Sequence, residues 1–104
     1  MTTNWIMSNE EISERIDSAI SKLGFETVRI SILSNEVNHD RMSPVTAIVL
    51  LKQKSDAYSV HYFFSYGETD KENECFDQGC YDLDKQSALI EFTRRVEKER
   101  KYFS

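Results

Sequence analysis

The side chains with chemical reach lie close together in this chain. His61 comes first, then Glu68, Asp70, Glu72, Glu74, Asp77, Asp82 and Asp84, with Cys75 and Cys80 among them. Three chemistries could use such a set: thiolate attack assisted by a histidine, metal ligation, and docking by charge. A redox pair would want C-x-x-C, whereas these cysteines are spaced C-x4-C. A zinc site would need two further ligands, and His39 and His61 both fall outside any ligand motif. A thiolate pair of Cys75 with His61 has no spacing signal behind it. The chain contains no nucleophile elbow, P-loop, dinucleotide fingerprint, H-E-x-x-H or EF-hand loop. Its three glycines, at 24, 67 and 79, are too scattered for a phosphate cradle. The expectation is a protein that is not an enzyme and holds no metal or cofactor. Both thiols are read as reduced, and on one extended strand they would face opposite sides.

Charge is the stronger signal. Residues 67–84 hold seven carboxylates against the single Lys71, a net −6, whereas the whole chain is −5. Residues 85–104 carry three acids and six bases, a net +3. A local field of this kind selects basic partners and repels phosphate backbones. Glu68, Asp70, Glu72 and Glu74 fall at period two, so an extended segment would project them to one side. Capping of a following helix accounts for Asp82 or Asp84 only. Clustered acids at a sheet edge also block edge-to-edge pairing.

The elements that must position these groups announce themselves by periodicity. Ser8-Asn9-Glu10-Glu11 is a capping box, with Ser8 as N-cap, Glu11 reaching back, and a Met7–Ile12 staple. Ile12, Ile16, Ala19, Ile20 and Leu23 make one apolar stripe, which Gly24 ends. Strands are expected at Glu26–Ser34, Val45–Gln53 and Tyr58–Tyr66, with a short fourth at Glu74–Tyr81 on the edge. Asn35–Pro44 reads as a loop and residues 1–7 as an N-terminal tail. A closing helix carries Ala88, Leu89, Phe92 and Val96 inward and ends on Arg94, Arg95, Lys98, Arg100 and Lys101, as the macrodipole favours.

The 104 residues make one domain, 1–104, with twelve aromatics to fill its core. The longest apolar run, Ala47–Leu51, is too short to span a bilayer, and the first residues lack a secretory pattern, so a cytoplasmic location is expected. The order α-β-β-β-(β)-α implies an α+β fold. Its three- to four-stranded antiparallel sheet would carry two helices packed on one face. The other face would then expose Ile48, Leu50 and Phe63, which a homodimer would cover. Double-stranded RNA-binding domains share this order, but they need lysines at the start of the second helix. Asp82-Leu83-Asp84-Lys85-Gln86 would repel a duplex.

Gly79-Cys80-Tyr81-Asp82, followed by Ala88, Phe92 and Arg95, resembles the strand-to-helix ending of small phage and mobile-element proteins. With its size, acidic window and element order, the chain is similar to phage-encoded inhibitors of host defence, anti-CRISPR proteins in particular. The pattern spans about 17 residues. The resemblance implies a non-enzymatic inhibitor in the bacterial host cytoplasm. It would place acidic side chains on the basic nucleic-acid-binding surface of a host protein, a CRISPR effector, with no direct nucleic-acid or membrane contact. The basic last helix departs from a pure DNA mimic. The expected contacts are Glu68, Asp70, Glu72, Glu74, Asp77 and Asp82, with Tyr66 and Tyr81 as aromatic anchors. The alternative is a dimeric structural or regulatory module using Ile48, Leu50 and Phe63.

Overall fold

The computed structural model describes residues 5–37, 44–65 and 75–103. The first helix, α1 (Asn9–Leu23), starts where the Glu11 amide donates to the Ser8 hydroxyl at 3.1 Å. The capping box is one-sided, because the Glu11 carboxylate turns instead to Arg15 at 3.0 Å. Met7 and Ile12 are both fully buried, as a hydrophobic staple requires. Gly24 ends the helix in the left-handed region at φ 77°, its amide reaching the Ile20 and Ser21 carbonyls.

Residues 5–7 are not a free tail. β1 (Trp5–Ile6) pairs antiparallel with β3 (Glu36–Val37), and the Met7 amide donates to the Asn35 carbonyl at 2.8 Å. The segment read as a loop from Asn35 therefore opens with a strand. Two residues are too few to show a period of two, which is why this ribbon escapes pattern reading.

The main sheet is a four-stranded antiparallel meander in the order β2 (Glu26–Ser34), β4 (Val45–Lys52), β5 (Tyr58–Ser65) and β6 (Cys75–Leu83). With α2 (Lys85–Phe103) following, this is the expected α+β fold with the edge strand present. Every residue of β4 from Val45 to Leu51 is buried, as befits a strand apolar on both sides.

The position of the second helix differs from expectation: the two helices lie on opposite faces. Ile12, Ile16 and Ile20 of α1 pack on Val45, Ala47, Val49, Leu51 and Phe63. Ala88, Phe92 and Val96 of α2 pack on Ile48, Leu50, Val60 and Tyr62. The cause is β4 itself, since both of its faces demand cover and one helix supplies each. Ile48, Leu50 and Phe63 are at most 1% exposed, so the apolar patch expected to serve a dimer is the protein's own interior. Phe63 also belongs to the α1 face rather than with Ile48 and Leu50. The turn after Lys52, closed by the Gln53 amide on the Ala57 carbonyl at 2.9 Å, sets Lys52 opposite Tyr58 and so aligns Phe63 with Ala47.

Asp84 caps α2: the Ser87 amide donates to its carboxylate at 2.7 Å, and these hydrogen bonds hold its acidity on the strong side of an ordinary aspartate. Asp82, the other capping candidate, does not serve.

Candidate docking edge

β6 is one of the two outer strands of the sheet and carries the described part of the acidic window. Its ladder with β5 begins regularly, Cys75 opposite Phe64, Phe76 opposite Phe63 and Asp77 opposite Tyr62. It then slips twice, so that Cys80 faces Val60 and Leu83 faces Tyr58. Each slip inserts one extra residue in β6 and coincides with a left-handed backbone, Gln78 at φ 51° and Asp82 at φ 57°. Side chains hold both: Asp77 accepts from the Gln78 amide at 2.8 Å, and Gln53 accepts from the Asp82 amide at 2.9 Å. Bulges of this kind twist an edge strand away from further strand pairing.

Gly79 sits in the first bulge for want of space rather than for its φ. A Cβ there would stand 2.6 Å from His61 Cε1 and Nδ1 and 2.8 Å from Tyr81 Cε2. His61 is 4% exposed, and its Nε2 lies 2.9 Å from the Ser59 hydroxyl. Burial first, and the positive charge of Arg95 second, push its pKa below the ordinary 6.5. Tyr81 meets the imidazole edge-on at 4.9 Å between centroids yet remains 56% exposed. His61 thus acts as the packing wedge beneath β6.

Of the expected contact residues, Asp77, Tyr81 and Asp82 are exposed on this strand. Neither Asp77 nor Asp82 has an ion-pair partner among the described residues. Tyr66, Glu68, Asp70, Glu72 and Glu74 lie outside the described residues. The β5 partners of Cys75 and Cys80 are four residues apart, roughly 13 Å of strand, so distance separates the two cysteines, and the register slip between them removes the simple alternation assumed from the sequence.

Two features went unread in the sequence. Arg95 is 7% exposed under α2; its guanidinium lies 5.2 Å over the Tyr62 ring and donates to Cys80 Sγ at 3.3 Å and the Val60 carbonyl at 3.5 Å. Its signal was spacing, since it stands seven positions after Ala88 on the inward stripe. Tyr62 in turn donates to Glu99 at 3.0 Å, and burial followed by that hydrogen bond raises its pKa. The second is a groove of about 390 Å³ between α1 and β6, floored by Phe63 and Phe76 and rimmed by Glu11, Glu14, Arg15 and Lys22.

Among the described residues no cluster of His, Cys, Asp and Glu could hold a metal ion, and no helix is long and apolar enough to cross a membrane. Compared with known proteins, the chain matches no family model, no curated protein and no solved structure.

Proposed function

We propose that this chain is a non-enzymatic binding protein that docks its β6 edge on a basic surface of a partner. The observation that supports it most is the edge strand itself, where Asp77, Tyr81 and Asp82 stand exposed on a strand bulged against further pairing. Exposed carboxylates on the strand that carries an exposed aromatic ring are the composition of a contact that steers by charge and anchors by one side chain. Residues 67–74 add four carboxylates to the same window.

The finer form of the proposal is a phage-encoded inhibitor of the anti-CRISPR kind, acting in the host cytoplasm on a nucleic-acid-binding protein. Its support is the acidic window and the resemblance at Gly79–Asp82 with Ala88, Phe92 and Arg95. Four of those residues have packing roles: Gly79 clears His61, Ala88 and Phe92 fill the α2 core, and Arg95 reaches Cys80. A strand-to-helix joint alone accounts for much of that pattern, so the acidic edge carries the weight.

The test is capture from bacterial lysate at low and high salt, comparing the wild type with Asp77→Lys/Asp82→Lys. A protein held by the wild type, released by salt or duplex DNA and lost from the double variant is the expected result. Capture that survives both charge reversal and salt would sink the reading.

A further inference from the structure

We infer that His61 makes the closure of β6 on β5 sensitive to acid: a proton on its imidazole drives the bulged part of the edge strand away from the sheet. This concerns the strand itself and holds whatever docks on it. The ring points into a site closed largely by β6. Gly79 passes over it with no room for a Cβ, Tyr81 stands edge-on at 4.9 Å, and Phe76 does so at 6.2 Å. Among the described residues its hydrogen-bond partner is the Ser59 hydroxyl on its own strand. β6 is also the least secured cover, since it is an edge strand whose ladder slips on both sides of Cys80.

Among the described residues, the surrounding charges offer an imidazolium no net compensation. α2 brings the cation Arg95, and β6 brings Tyr81 together with Asp77 and Asp82, both turned to solvent. α1 contributes Glu11, Glu14, Arg15 and Lys22 at the rim of the groove over Phe76, two acids against two bases, with Glu11 engaged by Arg15. A buried charge without a partner is costly enough that the structure yields before it is accommodated. The ring gains water when Gly79 and Tyr81 lift, which is local opening of the strand and not global unfolding. Burial and Arg95 both lower the imidazole pKa, in agreement with this geometry.

The experiment is amide hydrogen exchange, corrected for its intrinsic pH dependence, on residues 76–82 of β6 and 46–50 of β4. At about pH 5 against about pH 7.5, β6 protection in the wild type should fall about tenfold while β4 holds. In His61→Gln the β6 protection should be the same at both pH values. Should that variant not fold, NMR titration of the wild type decides: the His61 ring proton and the β6 amides should move with one midpoint, assigned with the help of His39→Asn. Equal wild-type protection at both pH values, an equal loss in His61→Gln, or separate midpoints would each overturn the inference.

Discussion

Gly79 is the residue on which the edge strand depends, and its role is steric. Its φ lies outside the left-handed region, so an alanine there meets His61 and Tyr81 rather than a backbone penalty. Gly79→Ala should cost about 1–3 kcal/mol of stability by urea denaturation, the usual cost of overpacking. Combined with His61→Ala, which vacates the space, the double variant should lose less than the sum of the two single losses. Loss of stability no larger than that of an exposed Gly→Ala would contradict the close approach. His61 itself gives a pH dependence with a definite sign. Its folded pKa is lowered, so below about 6.5 the unfolded chain binds more protons than the folded one and stability declines. The decline levels off once the pH is below the folded value, and His61→Gln should remove this share of it in denaturation curves taken across that range. Neither partner of this pair was legible as such. A lone glycine marks a bend or a close approach without naming its neighbour, and β5's alternation shows the side of His61 but not what crosses it.

At the scale of elements, what was legible is what local chemistry dictates. Ser8 and Gly24 bound α1 as their side chain and backbone freedom require, and Ser8→Ala should cost about 1 kcal/mol in denaturation. Alternation located β2 and β5, and an apolar run bounded by turn residues located β4, each within a residue of its observed ends. The side taken by α2 was not legible, because a strand apolar on both faces fits either an internal cover or a second copy equally well. Leu50 now tests the answer. Enclosed by α2, Leu50→Ala should lose about 2–5 kcal/mol and be independent of protein concentration. A small loss, or one that varies with concentration, would return Leu50 to an interface. The bulges of β6 escaped reading for a related reason. Gln78 and Asp82 adopt left-handed backbones with no glycine at either position to announce them.

For the whole molecule, the charges divide into an acidic window of −6 and a basic C-terminal segment of +3. Helix ends explain part of that division: Asp84 caps α2, and Arg100 and Lys101 occupy its last turn. Asp77 and Asp82 serve no helix end, Asp77 only holding the Gln78 amide of its own bulge, and their exposure on a bulged edge is what gives the docking proposal its place. An association steered by such a surface should weaken with ionic strength chiefly through the on-rate. The most direct measurement is therefore the association rate of a captured partner across a range of salt, for the wild type and for Asp77→Lys/Asp82→Lys. The account predicts a wild-type rate that falls steeply with salt and a variant rate at least about tenfold lower at low salt, with little further salt dependence. Equal rates for the two proteins, or a wild-type rate indifferent to salt, would contradict it.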